Sequence, residues 1–178
     1  MTNTLPPQEK VNGIMINADL SLGPFYIDGM DTTPKLFRLR AQTLRTRTAH
    51  RAKTLGIWRS HSWEDYFNCA KHLGLGLVSL GLKRGEIVTI LSEDNKEWMY
   101  TDMGVQSVGG ICSGVYTTDS ASQLVYLVNN SDSRFLLVEN DEQLDKFLQV
   151  RDQMPGLAKV IVIERDGLYG FTDPQVMF

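Results

Sequence analysis

The sequence is poor in the residues that most often do chemistry. It has two cysteines and three histidines in 178 residues. Cys69 and Cys112 lack the spacing of a disulfide framework or a metal knuckle, so reduced thiols and a cytoplasmic setting are expected, with Cys112 a core residue of a strand run. His50, His61 and His72 stand eleven apart. That interval aligns three rings only along one continuous helix, and part of the stretch between them reads as strand, so no metal centre is expected. Gly-x-Ser-x-Gly, His-Glu-x-x-His and the Walker-type Gly-x-x-x-x-Gly-Lys-Ser/Thr are all missing. No catalytic residue is assigned. Gly74-Leu75-Gly76 falls within a helical pattern rather than after a strand, which excludes a dinucleotide loop. There is no basic segment followed by an apolar leader core, and no apolar run approaches the roughly 20 residues that cross a bilayer.

Acidic residues are absent from one long stretch. Every charged residue from Lys35 to Arg59 is basic: Lys35, Arg38, Arg40, Arg45, Arg47, Arg51, Lys53 and Arg59. The segment reads as a solvated helix followed by a hairpin, or as an electropositive face that meets an anionic membrane surface peripherally. Nucleic acid is not expected as a partner. The sequence pI is about 5.6, and no aromatic-interleaved basic strand or helix-turn-helix pattern accompanies the run.

What the chain does have is a repeat of short apolar runs. Glu86–Leu91, Ile111–Tyr116, Arg134–Glu139 and Lys159–Glu164 recur at about 24-residue intervals, the length of a strand plus a helix. The first intervening helical stretch precedes them: Ser62-Trp63-Glu64-Asp65 is a capping-box opening, with Trp63, Tyr66, Phe67, Ala70, Leu73, Leu77 and Leu80 on one face, predicted to pack on a sheet. Gly81 suits the left-handed position after it, with Leu82 closing the contact behind. Further helices are predicted from Asp94 or Asn95 to Gly109-Gly110, from Ser120 to Asn129-Asn130, and after Asn140 to a stop at Pro155-Gly156. Gly85 reads as a turn, Gly109-Gly110 as the entry to a strand and Gly114 as a site of close backbone packing. The fold expected is α/β, a parallel sheet of strand–helix repeats, with an N-terminal arm, a helix and a β-hairpin before it. Residues 1–31 read as the extended arm, and 32–178 as an incomplete N-terminal α/β subdomain.

Several motifs in register resemble one family. Thr54-Leu-Gly-Ile-Trp58 running into His61-Ser-Trp-Glu-Asp-Tyr66 is similar to the hairpin and first helix of AMP-forming acyl-CoA synthetases of the long-chain fatty-acid branch. The likeness continues through 75–86, Ser92–Trp98, Gly109–Thr118 and Gln123–Asn130, and spans about Asp31 to Phe178.

The resemblance implies a ligase in which a fatty carboxylate attacks the α-phosphate of Mg2+-bound ATP to give acyl-AMP and pyrophosphate, after which the CoA thiol displaces AMP. The family's Ser/Thr/Gly-rich phosphate loop, metal-binding Glu, ribose-binding Asp and adenylating Lys match nothing in this chain. ATP, Mg2+ and CoA are therefore expected for the complete enzyme and not from motifs present here, and the chain is read as an N-terminal fragment inactive by itself. Its expected partners are the remainder of the synthetase, fatty acid and CoA, with homo-oligomers allowed. One binding edge is expected, at Thr117 and Thr118, because the loop after the second repeat strand leaves the carboxyl end of a parallel strand, and in the family CoA passes nearby. Other readings are a short-chain or aryl-CoA synthetase and a noncatalytic α/β interaction domain.

Overall fold

The repeated apolar runs become neighbouring strands because each is too hydrophobic to leave either face in water. The computed structural model describes residues 9–11, 14–16 and 26–178. Most of the stretch expected to form an extended arm lies outside the described residues; within it, β1 (Glu9–Val11) pairs antiparallel with β2 (Ile14–Ile16). Helix α1 (Thr33–Leu44) follows, then a hairpin of β3 (Thr48–Thr54) and β4 (Ile57–Ser62), then α2 (Trp63–Ser79). The strand–helix repeat runs β5 (Ile87–Leu91), α3 (Lys96–Ser107), β6 (Ile111–Val115), α4 (Ala121–Asn130), β7 (Ser133–Val138), α5 (Asp141–Val150), β8 (Lys159–Val162) and β9 (Val176–Met177). The five repeat strands form one parallel sheet in the order β6-β5-β7-β8-β9. Counted along the chain this is the 2-1-3-4-5 order of a doubly wound sheet, whose direction reverses between β5 and β7.

Alternation along β7 shows why these strands read as unbroken apolar runs. Phe135 and Leu137 face a core with Leu77 of α2 and Val105 of α3, whereas Leu136 and Val138 face Leu124, Leu144 and Phe147 of α4 and α5. Local signals hold at the helix ends. Ser62 Oγ accepts from Asp65 N at 3.1 Å while Asp65 Oδ2 accepts from Ser62 N at 3.0 Å, and Ser120 and Gln123 repeat the device on α4. Gly81 has φ +100°; its N–H donates to Val78 O and that of Leu82 to Leu77 O, each at 2.9 Å. Buried Leu82 packs with Leu77 behind the turn.

Four details differ from the sequence reading. The apolar stripe of α2 divides: Leu77 reaches the sheet, but Tyr66 and Ala70 pack with Phe37 of α1 and Tyr100 and Met103 of α3. The division follows from the crossing of α2 and α3, where a Cβ on Gly104 would lie 2.5 Å from Ala70 O and one on Gly74 2.5 Å from Gly104 O. Gly114 is not required by close packing, since its Cβ would rest 3.6 Å from the Trp98 ring, ordinary contact. Helix α5 stops at Val150 in a single 3-10 turn before Pro155, and β9 adds a strand too short to read from pattern.

The hairpin is fastened to the helices through an aromatic cluster. His50 and His61 are cross-strand partners whose rings stack 4.9 Å apart at 10°, with Tyr66 and Tyr100 edge-on to His50. Tyr100 OH lies 3.3 Å from His50 Nε2, and His50 Nδ1 is buried without a partner among the described residues. Burial first, then His61 and Lys96, holds the His50 pKa below its ordinary 6.5, against weaker opposition from Glu97 and Asp65. A proton that the unfolded chain accepts more readily than the native one destabilises the fold as pH drops. This stability is present above about pH 6.5 and is lost as pH falls through the depressed native value. Asp65 and Asp173, held below 3.8 mainly by hydrogen bonds from Ser62 and Arg151, lose their share only in stronger acid. Urea midpoints measured at pH 7.5 and pH 5 should therefore fall for the native sequence and fall less for His50→Phe; an equal fall would remove His50 as the cause.

Candidate functional site

Ligands of open parallel sheets sit at the carboxyl ends of the strands, at the point where strand order reverses. Here that point is the boundary of β5 and β7. Glu139, the first residue after β7, crosses it: its Oε2 accepts from Glu93 N at 2.7 Å and from Ser92 Oγ at 3.4 Å, and its own N–H donates to Leu91 O at 3.1 Å. Asn95 Nδ2 donates to Ser92 Oγ at 2.7 Å while its Oδ1 accepts from Trp98 N at 2.8 Å, which starts α3. The loops after β5 and β7 are thus tied to each other and to a helix start.

The loop after β6 closes the same edge. Thr117 Oγ1 donates to the Glu93 carboxylate, and Lys146 Nζ of α5 donates to Thr117 O at 2.5 Å and Asp119 O at 2.8 Å. Thr118 is exposed and its side chain makes no hydrogen bond among the described residues. A cleft of about 330 Å³ lies between these loops, walled by Glu93, Asp94, Trp98, Gly114, Tyr116 and Thr117. A wider cleft of about 840 Å³ shares Asp94 and Trp98 and opens between the β3–β4 hairpin, the start of α3 and the loop after β8. The structure therefore puts Thr117 in the wall of a cleft and leaves Thr118 outside it. Glu93 and Glu139, which organise the edge, were not singled out from the sequence; their signal was only that Glu93 stands two residues beyond one predicted strand run and Glu139 ends another.

The chemistry of this edge does not fit a polyphosphate. A helix N-terminus attracts anions through unsatisfied N–H groups, but in each of α3, α4 and α5 one of these already donates to the helix's own cap: Trp98 N to Asn95, Gln123 N to Ser120 and Gln143 N to Asn140. Carboxylates further offset two of these positive ends, Glu97 in the first turn of α3 and Asp141 and Glu142 in that of α5. Glu93, Asp94 and Glu139 add negative charge along the strand ends. Among the described residues no group of three or more His, Cys, Asp or Glu could hold a metal ion, and no helix is long and apolar enough to cross a membrane. Burial, then Asp102, pushes the Cys112 thiol far above the ordinary range, and its Sγ lies 3.9 Å from the carbonyls of Thr101 and Asp102.

Comparison with known proteins places this sheet. The family described as "AMP-binding enzyme" matches residues 37–174. The long-chain-fatty-acid–CoA ligase ACSBG2 of Xenopus laevis is 38% identical over 104 residues, 58% of this chain and 14% of that protein. Its Homo sapiens counterpart is 31% identical over 148 residues, 80% of this chain and 22% of that protein. The chain thus spans about a fifth or less of the length of these relatives. Among solved structures, an anthranilate CoA ligase in complex with anthranoyl-AMP superposes with TM-score 0.69 at 25% identity, over 82% of this chain and 27% of that one. A putative long-chain-fatty-acid CoA ligase from Rhodopseudomonas palustris does so with TM-score 0.69 at 23% identity, over 87% of this chain and 35% of that one, and shares the fold.

Proposed function

The chain belongs to the AMP-binding enzyme family, and from that membership we propose that it forms the N-terminal strand–helix portion of an AMP-forming long-chain fatty-acid:CoA ligase. The whole enzyme would join fatty acid and CoA at the expense of ATP, by way of an acyl-adenylate, with release of AMP and pyrophosphate. The observation that carries the reading is the likeness, at 31–38% identity, to long-chain-fatty-acid–CoA ligases. The same sheet supports an anthranilate ligase at 25% identity, so the fold alone does not select the acyl group.

Within such an enzyme this portion supplies structure and a cleft wall, not phosphate chemistry. Its capped helix ends and acidic strand edge support the reading that ATP and Mg2+ are held elsewhere, and that the chain alone activates no fatty acid. The same charges confine a CoA contact to the uncharged part of that cofactor and to Thr118, because the Thr117 hydroxyl is committed to Glu93.

The test is a chimera in which residues 37–174 replace the matching segment of the Xenopus laevis relative. It should form acyl-CoA from a long-chain fatty acid, ATP and CoA, whereas the isolated chain should give no acyl-adenylate and no fatty-acid-dependent exchange of pyrophosphate into ATP. In the chimera, Thr118→Ala should raise the KM for CoA several-fold and leave that for ATP unchanged, whereas Thr117→Ala, which removes only the tie to Glu93, should not. A folded chimera without ligase activity would overturn the reading. Unaltered CoA kinetics would remove the threonine contact alone.

A further inference from the structure

The tip of the β3–β4 hairpin combines features that water does not explain. Thr54 pairs with Ile57 across a two-residue turn, and both turn residues have positive φ, Leu55 at +49° and Gly56 at +82°. Such a turn favours Asn, Asp or Gly in its first position; a leucine there is conformationally costly. This leucine is 97% exposed, and its neighbours Ile57 and Trp58 are 63% and 65% exposed. The chain therefore spends conformational energy to hold three large apolar side chains out of the core. Strain of this kind persists where function keeps it.

Charge indicates what the tip meets. Lys53 is the cross-strand partner of Trp58, Ala52 of Arg59 and Arg51 of Ser60, so cations ring the apolar tip within two rungs. The cations nearer the helices are partly neutralised, Lys35 by Asp31, Arg40 by Asp28 and Arg45 by Glu64. Arg51, Lys53 and Arg59 have no ion pair among the described residues. Outside 35–59 the balance is reversed, ten Lys and Arg (18 less 8) against 21 Asp and Glu. An anionic surface is repelled by most of this molecule and attracted at one end of it. The cleft that Arg51, Lys53, Leu55 and Trp58 help to line carries Asp94, Glu97, Glu164 and Asp166 against Lys96 and Arg165 on its other walls, a net acidic side that favours approach tip first.

We propose that the β3–β4 hairpin is an interfacial anchor: Leu55, Ile57 and Trp58 enter the headgroup boundary of an anionic lipid bilayer while Arg51, Lys53 and Arg59 lie against its phosphates. An apolar wedge backed by cations has this character, and tryptophan sits favourably where one part of its ring system is apolar and its N–H is wet. The inference rests on the proposed ligase only in that a long-chain fatty acid is a membrane-borne substrate. It locates the membrane contact at the hairpin end of the segment, not along α1.

The experiment is co-sedimentation of the 178-residue chain with vesicles of phosphatidylcholine alone and of phosphatidylcholine mixed with phosphatidylserine, over a range of salt. Trp58 insertion is read as the fluorescence difference between the native sequence and Trp58→Phe. Binding should favour the anionic vesicles and weaken with salt. Lys53→Ser with Arg59→Ser should lower affinity about fivefold per cation at low salt. Leu55→Asn should lower it by about tenfold while leaving thermal stability equal or higher, because asparagine accepts the left-handed conformation. Equal binding to the two vesicle types, no binding, or an unaltered Leu55→Asn variant overturns the anchor. A longer polypeptide in which the tip is already shielded without vesicles also overturns it and identifies the rest of the protein as its cover. No readout uses ligase activity, so failure of the anchor and failure of the ligase reading are separable.

Discussion

Replacing Gly104 by valine should destabilise the fold by about 3 kcal/mol or more, an effect at the upper end for overpacking. The reason is backbone, not side chain. At the crossing of α2 and α3 the nearest atom to a new Cβ on Gly104 is Ala70 O at 2.5 Å, with Gly74 N at 3.1 Å. Neither can rotate aside as the end of a flexible side chain would, so the helices must separate, and Tyr66, Ala70, Tyr100 and Met103 lose their packing with them. A control lies on the partner helix α2. Gly76 is exposed within α2 and a Cβ there meets nothing within 4 Å, so Gly76→Ala should stabilise by about 0.5–1 kcal/mol through helix propensity and reduced unfolded-state entropy. Urea unfolding of both variants decides the matter. A Gly104→Val protein with a native midpoint would mean that the close crossing is not what joins the two helices.

Ser133→Ala should cost about 1–3 kcal/mol although it removes a single oxygen. Ser133 and Thr89 are both buried, and a chain of hydroxyls runs through them: Thr89 Oγ1 to Ser133 Oγ at 2.6 Å, and Ser133 Oγ to Ser131 Oγ at 2.7 Å. Ser131 donates its one proton to Leu127 O at 2.8 Å, so it accepts from Ser133, which in turn accepts from Thr89. Removing Ser133 leaves the Thr89 hydroxyl in the middle of the sheet without an acceptor, and desolvation is then uncompensated. Adding Thr89→Val removes the stranded group, so the double variant should recover most of the loss. A double-mutant cycle by urea unfolding tests this; a double variant no more stable than Ser133→Ala would refute the hydroxyl chain.

Much of the fold was legible because it is local. The βα spacing, the capping boxes at Ser62 and Ser120 and the turn at Gly81 each depend on residues within a few positions of one another, and the parallel strands are legible as runs because both of their faces are buried. The expectation that α2 would lie wholly on the sheet failed because a stripe of apolar residues records that a face is covered, not by what. Gly74 and Gly104 are thirty positions apart, and nothing in either segment alone shows that they meet. The site was less legible than the fold. Thr117 was picked from its place after a strand, but nothing in the sequence sets apart the carboxylates that hold it and cross the sheet reversal, Glu93 beyond one strand run and Glu139 at the end of another.

By itself the sequence determined the fold class, the order of the four repeat strands and the helices between them and the likeness to AMP-forming acyl-CoA synthetases, since these rest on periodicity, caps and motifs read over short spans. Only the tertiary structure decided which faces meet, that the capped starts of three helices stand together at the strand edge with Glu93 and Glu139, and that a leucine with three cations behind it stands at the tip of a hairpin. Those outcomes depend on which distant groups share a dielectric, a hydrogen bond or a van der Waals contact, and such energies are set by distance in space rather than by separation along the chain.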